Sequence, residues 1–233
     1  MKNITIFCDF DGTITKKDTV DHFLSVFANN NWLEIEKLWK DGKIGSKECL
    51  IKQFECIDYI SENQLDNFTE NIEIDDYFIN FIEILNIFEN LNRKKTDIYI
   101  VSDGFDFFIN SILKKYGIKK FFKVFSNKLN FNKGKLTPDF PFHNPNCKKK
   151  SGLCKCEIIK KIKKERRVLY IGDGTSDICA SRLADILFAK DSLAEYCDKN
   201  NINHIKFKTF KDICEYLYLN LGEKLDVKNE MLV

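Results

Sequence analysis

Short apolar runs alternate with helical periodicity along much of this chain. Ile4 to Cys8 form one such run, rich in β-branched side chains, and similar runs occupy residues 98–101, 168–171 and 186–189. Apolar runs of this length predict buried strands. Helical spacing fills the intervals between them, so we predict an α/β protein whose parallel sheet is covered on both faces.

Two of the predicted helices have clear apolar spacing and a glycine at their end. One runs from Phe105 to Leu113, and Gly117 follows at a position where a helix C-cap favours positive φ. The other begins at Phe210 and ends at Gly222 with the same spacing. Helices of this kind would cover the predicted sheet.

The alternation is interrupted between Thr15 and about Asn92. Only helical patterning is present there, for example from Val20 to Phe27 and from Ile35 to Trp39, and no stretch predicts a convincing strand. A helical insertion after the first strand would lie over the carboxyl ends of the strands, where parallel sheets bind ligands. A second, smaller insertion is predicted at residues 127–143.

These patterns divide the chain into three parts. We predict a catalytic core formed by residues 1–15 and 93–222, a helical cap at 16–92, and a flexible tail at 223–233. The cap would then lie above the site and select the molecule that reaches it.

Composition and charge limit the class of protein. The 233 residues are 44% hydrophobic, which suffices for a packed core and excludes a wholly disordered chain. The formal net charge is only +2, so no basic imbalance indicates a nucleic-acid partner. The lysine-rich runs at 148–150 and 160–167 are interpreted as a solvated loop and a solvated helix face.

The cysteines do not indicate a disulfide scaffold. There are nine, an odd number in a long chain, and most lie in apolar patterns where a thiol behaves as a small hydrophobe. The first apolar stretch is interrupted by Asp9 and is too short for a signal peptide or a membrane span. We therefore expect a reduced, cytoplasmic protein with no membrane partner. The sequence does not predict its oligomeric state.

Three of the predicted strands run directly into polar clusters. The clusters are Asp9-Phe10-Asp11-Gly12-Thr13, Ser102-Asp103-Gly104 and Gly172-Asp173-Gly174-Thr175-Ser176-Asp177. Because the carboxyl ends of parallel strands meet at one edge of a sheet, we expect the three clusters to converge. The alternative interpretation of the first cluster is a capped turn, with an aspartate as N-cap and Gly12 at positive φ.

The paired carboxylates of the first cluster suit phosphoryl transfer. Asp9 and Asp11 are two residues apart on an extended strand end, so both can reach one phosphoryl group. One must be ionised to attack, and the other must be protonated to serve the leaving group and then ionised to activate water. Two acids facing a phosphate require a hard cation, and Mg²⁺ suits such oxygen ligands. Asp173 is the natural further ligand.

These clusters, together with a later lysine, resemble the four motifs of the haloacid dehalogenase superfamily, from about Ile4 to Phe210. The resemblance implies a Rossmann-like core, with Asp9 as nucleophile and Asp11 as general acid and base. The helical insertion resembles the cap of the phosphoserine-phosphatase-like branch.

The resemblance also implies the metal ligands. Mg²⁺ would be held by Asp9, the carbonyl of Asp11 and Asp173, while Asp177 orients the surrounding shell.

The resemblance implies a phosphate-binding segment and a substrate contact as well. Ser102 would donate to a phosphoryl oxygen, with Asp103 and Gly104 beside it. Asp18 lies where the phosphoserine-phosphatase-like branch places an acidic residue that contacts substrate. Its alternative interpretation is the N-cap of the first cap helix.

The lysine of this constellation is assigned to Lys155, within Cys154-Lys155-Cys156 at the start of a predicted helix. This stretch resembles the Cys-Lys segment of the 2-hydroxy-3-keto-5-methylthiopentenyl-1-phosphate phosphatases of methionine salvage. A Cys-Lys segment also occurs in phosphoethanolamine and phosphocholine phosphatases. The salvage family usually shows Ser-Gly-Gly at the second motif, where this chain has Asp103 in place of the first glycine.

A zinc site is a separate alternative for the segment around Lys155. His143, Cys147, Cys154 and Cys156 could supply four tetrahedral ligands, but the usual pair of ligands two residues apart is missing. Thiols that pack near the site are the favoured interpretation.

The sequence therefore predicts a Mg²⁺-dependent phosphatase that acts on a small phosphorylated metabolite, with no nucleic-acid partner. The salvage intermediate, phosphoserine, phosphocholine, phosphoethanolamine and nucleotides are all open as substrates. Transfer of the phosphoryl group to an alcohol is also open, since it uses the same nucleophile. A receiver-type switch lacks the second acid, and a dehalogenase does not need Asp11.

Overall fold

The computed structural model of this chain describes residues 4–92 and 96–222. The strands are β1 (Ile4–Cys8), β2 (Asp97–Phe105), β3 (Lys123–Asn132), β4 (Lys135–Asp139), β5 (Arg167–Gly172), β6 (Ile186–Ala189) and β7 (Ile205–Lys206). The helices are α1 (Thr19–Phe27), α2 (Asn31–Lys40), α3 (Ser46–Phe54), α4 (Glu62–Glu70), α5 (Phe78–Asn92), α6 (Asp106–Lys115), α7 (Lys155–Lys163), α8 (Ile178–Ser181), α9 (Asp191–Lys199) and α10 (Phe210–Gly222). The predicted tail at 223–233 and residues 93–95 of the predicted core lie outside the described residues.

The described strands form a single sheet in the order β4-β3-β2-β1-β5-β6-β7. Every neighbouring pair is parallel except β3 and β4, which pair antiparallel as a hairpin. β1 lies between β2 and β5, and Cys8 at its end is in register with Ile100 and Ile171. The predicted α/β class is therefore confirmed, and the ends of three motif-bearing strands lie side by side.

Alternating side chains of β1 pack against helices on opposite faces of the sheet. Ile6 and Cys8 belong to the core shared with α5, α6 and α10. Phe7 belongs to the other core, shared with α7, α8 and α9. A strand buried on both faces reads as a continuous apolar run, which is why Ile4 to Cys8 lack polar alternation.

The segment between β1 and β2 is helical apart from one isolated antiparallel bridge between Thr15 and Ile74. Phe23 of α1 is fully buried and contacts the rings of Phe54 on α3 and Phe68 on α4. α5 instead packs against α10 in the core. The 16–92 boundary of the cap stays a prediction, and these contacts favour an end near Ile74.

The hairpin β3–β4 occupies much of the predicted second insertion and reaches the helical segment. Ile60 donates its N–H to the carbonyl of Gly134 at 3.0 Å. Gly134 has φ +82, and a Cβ at this position would lie 2.0 Å from the ring of Tyr59. The positive φ favours glycine at the hairpin tip, and a larger residue there would also have to displace the Tyr59 ring.

No helix within residues 4–92 and 96–222 is long and apolar enough to cross a membrane. The glycine predicted to follow the helix of residues 105–113 behaves as expected, since Gly117 has φ +69 after α6.

Candidate active site

A cavity of about 780 Å³ opens where β1, β2 and β5 end. Core residues from all three polar clusters line it, including Asp9, Ser102 and Asp173. Residues of α1, α2 and α3 line the opposite side. The predicted convergence of the clusters is thus observed, and the helical segment lies over them.

Asp9 lies directly beyond the last residue of β1. Its N–H continues the ladder by donating to the carbonyl of Ile171 at 2.9 Å, which fixes the backbone beside β5. The residue is 5% exposed. Its Oδ1 accepts from the N–H of Phe10 at 2.7 Å, and its Oδ2 lies 2.6 Å from Nζ of Lys155.

Lys155 is the first residue of α7, and it is 2% exposed. Its Nζ lies 2.6 Å from Asp9 Oδ2 and 2.6 Å from Asp177 Oδ1, and it donates to Ser176 Oγ at 3.0 Å. Burial by itself would lower the pKa of the ammonium, but the charges of Asp177 and Asp9 outweigh it and raise the pKa. Lys155 therefore places a fixed positive charge beside Asp9.

Asp177 is fully buried and has four donors on its two oxygens. Oδ2 accepts from the N–H groups of Asp173 and Gly174 at 3.0 and 3.1 Å. Oδ1 accepts from Lys155 at 2.6 Å and from the hydroxyl of Tyr170 at 2.5 Å. The carboxylate thus holds both the loop after β5 and the lysine of α7.

Asp11 is half-buried and faces Ser102 across the cavity floor. The Oγ of Ser102 donates to Asp11 Oδ2 at 3.0 Å and accepts from the N–H of Gly104 at 2.9 Å. A Cβ on Gly104 would lie 2.1 Å from Asp11 Oδ2, so glycine is required for this approach. Burial raises the pKa of Asp11, chiefly because the charged form is desolvated. A raised pKa suits a carboxyl group that begins a reaction protonated.

Three carboxylates are arranged as a group of potential metal ligands. One oxygen from each of Asp9, Asp173 and Asp177 lies within 4.8 Å of the others. Among the described residues, this is the group of three or more His, Cys, Asp or Glu side chains that lie this close together. Burial and then the charge of Asp177 raise the pKa of Asp9 well above its usual range, and they raise that of Asp173 to about 6. Lys155 offsets only part of the charge of the three carboxylates, and crowded oxygen donors of this kind fit a hard divalent cation such as Mg²⁺.

Asp173 was predicted to be a direct metal ligand and Asp177 to orient the surrounding shell, and the two carboxylates have different hydrogen-bond partners and exposure. Asp173 accepts from Thr13 Oγ1 and remains partly exposed to the cavity. Both oxygens of Asp177 are already occupied by donors. This difference favours Asp173 as a direct ligand and Asp177 as the residue that orients the shell.

Asp103 lines the cavity, and its side chain is also hydrogen-bonded to the helical segment and to the core. Its side chain accepts from Ser46 Oγ at the start of α3, from Asn127 Nδ2 at 3.0 Å and from the N–H of Leu153 at 2.7 Å. Gly152 also donates its N–H to Ser46 Oγ at 3.1 Å. Asp103 therefore joins the helical segment to the core.

Truncating Asp103 to alanine is expected to loosen this connection. Three hydrogen bonds are lost and their donors are left partly buried, so we expect a loss of unfolding free energy on the order of 1–3 kcal/mol and a raised KM. Urea unfolding and steady-state kinetics measure the two effects. Ser46→Ala should reproduce the rise in KM with a smaller loss of stability. An Asp103→Ala variant with unchanged KM and stability would contradict this role.

Asp18 lies at the mouth of the cavity and also caps α1. Its Oδ1 accepts from the N–H of Asp21 at 2.8 Å, which is the N-cap arrangement. The side chain also lines the cavity. The two interpretations of Asp18 are therefore compatible.

The cysteine-rich segment does not form a compact set of zinc ligands among the described residues. His143 Nδ1 lies 2.9 Å from the carbonyl of Ser151, and Cys147 Sγ lies 3.2 Å from Ser151 Oγ. Cys154 and Cys156 lie on either side of Lys155 with their sulfurs 3.6 Å apart. The thiols of Cys154 and Cys156 therefore lie beside Lys155.

Sequence reasoning did not include Tyr170 and Thr13 among the site residues. Thr13 lies within the first motif and donates to Asp173. Tyr170 lies inside the apolar run of a predicted strand, so the sequence predicts that it is only a core residue. The hydroxyl of a tyrosine in a buried strand is the feature that could have indicated a role, because such a hydroxyl usually has a hydrogen-bond partner.

The family model described as "Putative Phosphatase" matches residues 4–194 of this chain. A 2-hydroxy-3-keto-5-methylthiopentenyl-1-phosphate phosphatase of Bacillus cereus (strain ZK / E33L) is 30% identical over 226 residues, covering 96% of this chain and 100% of that protein. A protein of the same name from Bacillus velezensis is 29% identical over 221 residues, covering 94% of this chain and 91% of that protein.

Solved structures share the fold. The structure titled "Phospho-Aspartyl Intermediate Analogue of Phosphoserine phosphatase" matches with TM-score 0.68 at 22% identity, covering 93% of this chain and 99% of that one. A HAD-family hydrolase of Salmonella enterica serovar Typhi matches with TM-score 0.70 at 16% identity, covering 96% of this chain and 72% of that one. The family match and the curated relatives show that this chain belongs to the Putative Phosphatase family and is a phosphatase, as its motifs predict, and its fold is the one found in phosphoserine phosphatase and HAD-family hydrolase structures.

Proposed function

We propose that this phosphatase is Mg²⁺-dependent and hydrolyses a small phosphomonoester through an aspartyl-phosphate on Asp9. The observation that carries the proposal is the convergence of Asp9, Asp11, Ser102, Lys155 and Asp173 in one cavity. These residues supply a nucleophile, an acid, a hydroxyl donor, a fixed cation and a metal-binding carboxylate within one site.

In the first half-reaction, a carboxylate oxygen of Asp9 attacks phosphorus and the bond to the leaving oxygen breaks. Asp11, whose pKa is raised by burial, gives a proton to the leaving alcohol. The ammonium of Lys155 and the hydroxyl of Ser102 are placed to stabilise the charge on the phosphoryl oxygens.

In the second half-reaction, water attacks the phosphorus of the aspartyl-phosphate. Asp11, now ionised, accepts a proton from that water, and Asp9 is released as a carboxylate. Asp11 therefore serves once as acid and once as base. A site without it would retain the phosphorylated aspartate much longer.

Mg²⁺ is proposed to be held by Asp9, the carbonyl of Asp11 and Asp173, with Asp177 orienting Asp173. When bound, it would neutralise negative charge on the phosphoryl group and on the carboxylates. The oxygen-only donor set and the raised pKa values of Asp9 and Asp173 support this assignment.

The substrate we propose first is 2-hydroxy-3-keto-5-methylthiopentenyl-1-phosphate. The names of relatives that align along nearly the whole chain support it. The cavity extends from Asp9 to the apolar side chains of Trp39 and Leu50, which leaves room for a leaving group with an apolar end. Asp18 is proposed to contact that leaving group.

A screen of phosphorylated metabolites with Mg²⁺ tests the proposal. It should include the salvage intermediate, phosphoserine, phosphocholine, phosphoethanolamine, nucleotides and p-nitrophenyl phosphate. We expect Mg²⁺-dependent phosphate release, fastest with the salvage intermediate. Absence of release from every substrate would contradict the function, and another preferred substrate would contradict only its specificity. Phosphate recovered on an added alcohol would identify a transferase.

The acidic group predicts an unusual pH dependence for the metal-free protein. The pKa of Asp173 is about 6 in the folded state and about 3.8 as a free side chain, so folding favours its protonated form. Its contribution to stability is complete below the lower value and is lost as pH rises through about 6. We therefore expect the metal-free protein to melt at a higher temperature at pH 5 than at pH 7, with this group adding about 1.3 kcal/mol to the unfolding free energy over that interval.

Mg²⁺ should reverse this dependence, because the cation and the proton compete for the same oxygens. The rise in melting temperature on adding Mg²⁺ is expected to be large at pH 7.5 and to shrink below pH 6. Asp173→Asn is the control, and it should lose both the Mg²⁺ effect and the titration near pH 6. Equal Mg²⁺ effects at both pH values would contradict the assignment.

A further inference from the structure

Tyr170 lies on the far side of Asp177 from the cavity. It belongs to β5, is fully buried, and packs in the apolar core that contains Phe7 and Leu187. Those two residues are its partners in register on β1 and β6. The neighbours of the Tyr170 ring are apolar, so a phenylalanine would pack equally well in this core. The hydroxyl group therefore requires a separate explanation.

The hydroxyl of Tyr170 begins a short hydrogen-bond chain that ends at the nucleophile. It donates to Asp177 Oδ1 at 2.5 Å, and that same oxygen lies 2.6 Å from Nζ of Lys155. Nζ of Lys155 lies 2.6 Å from Asp9 Oδ2. Four buried groups are therefore connected in sequence, from a tyrosine in the core to the reacting carboxylate.

Sharing one oxygen has a physical consequence for the lysine. The Tyr170 hydroxyl holds Asp177 Oδ1 in place and withdraws part of its negative charge by a charge-assisted hydrogen bond. Without it, the carboxylate could rotate toward the ammonium and attract it more strongly, which would draw Lys155 away from Asp9. In a buried site such shifts matter because charges are weakly screened.

We infer that Tyr170 is a positioning residue of this phosphatase, which acts through Asp177 to hold the Lys155 ammonium against Asp9. It is absent from the described residues that line the cavity, so it does not touch the substrate. This inference rests on the proposed function, since it assigns Lys155 a part in the reaction.

Tyr170→Phe removes only the hydroxyl. We expect kcat for p-nitrophenyl phosphate with Mg²⁺ to fall by about tenfold to hundredfold, the usual effect of losing one hydrogen bond to a charged group. KM should change little, because Tyr170 contacts neither substrate nor cavity. Tyr99→Phe is the matched control. Tyr99 lies in the same core on β2, but its hydroxyl accepts from Lys123 outside the site, so its kcat should equal that of the wild type.

A spectroscopic measurement separates positioning from general stability. The side-chain ¹H–¹⁵N signal of the buried Lys155 ammonium, identified by its loss in Lys155→Met, should shift in Tyr170→Phe and stay in place in Tyr99→Phe. Kinetics are measured well below the melting temperature of every variant, so that unfolded protein does not contribute.

Two results would overturn the inference. One is a kcat in Tyr170→Phe equal to that of Tyr99→Phe. The other is a fall in kcat with an unmoved Lys155 signal, which would mean that Tyr170 acts by another route. Failure of the wild-type protein to release phosphate would instead contradict the proposed function, and the ammonium signal would still test the coupling.

Discussion

Asp9→Asn is expected to lose phosphomonoester hydrolysis almost completely, with kcat reduced by at least about 10⁴-fold. The amide of asparagine is not a nucleophile, so the aspartyl-phosphate cannot form. The fold should persist because the side chains have the same shape. Burial and the charge of Asp177 raise the pKa of Asp9, which means that its surroundings destabilise the ionised form. The variant should therefore melt no lower than the metal-free wild type at pH 7.

Initial rates with p-nitrophenyl phosphate and Mg²⁺ measure the loss, and thermal melting shows that the fold is retained. Asp76→Asn is the matched control. Asp76 is an exposed carboxylate that pairs with Lys16 at 2.8 Å outside the cavity, so its substitution should leave kcat unchanged. Turnover by Asp9→Asn at more than a small fraction of the wild-type rate would contradict the assignment of the nucleophile.

Lys155→Met is expected to reduce both activity and stability. The substitution leaves Asp9 and Asp177 buried without their shared cation, and breaking a buried ion pair in this way costs about 3–5 kcal/mol. Loss of the fixed positive charge beside the phosphoryl group should lower kcat by roughly 10²–10³-fold. Chemical denaturation and steady-state kinetics measure the two losses.

The lost stability of Lys155→Met should depend on pH. Burial raises the pKa of Asp9 and the Lys155 ammonium lowers it, so removing the ammonium should favour the protonated form of Asp9, and the variant should regain stability as pH falls. Lys161→Met, on the exposed face of the same helix, removes only a surface pair with Glu157 at 2.7 Å, and it should change stability by less than about 1 kcal/mol. A Lys155→Met variant as stable and active as Lys161→Met would contradict the central place given to this lysine.

The strands that could be predicted were those buried on both faces. β1 and β6 have the predicted bounds, and β2 and β5 contain the predicted runs. β3 and β4 were not predicted, because their hairpin lies at the sheet edge and alternates apolar with polar residues. β7 is two residues long and carries too little pattern to detect. Burial on both faces leaves a continuous apolar signal, and an edge position does not.

Asp103 shows where a motif was insufficient to predict a role. Its position beside Ser102 predicts contact with phosphate, which stays a prediction, and the structure adds hydrogen bonds to Ser46, Asn127 and Leu153, which belong to three other segments. No local sequence pattern predicts these hydrogen bonds, because their partners come together only when the helical segment folds over the core. The lysine run at 148–150 is exposed as predicted, yet it also lines the mouth of the cavity.

The sequence by itself determined the fold class, the polar ends of three strands, and the candidate pair Asp9 and Asp11. The first two follow from local rules, since continuous apolar runs predict buried strands and parallel strands end at one edge. The pair was predicted on an extended strand end, but β1 ends at Cys8 and Asp11 begins a turn. Only the tertiary structure decided that Lys155 bridges Asp9 and Asp177, and that Tyr170 holds Asp177 from behind. Those contacts join α7, β5 and the loop after β1. Their energies depend on burial and on distances that no spacing along the chain specifies.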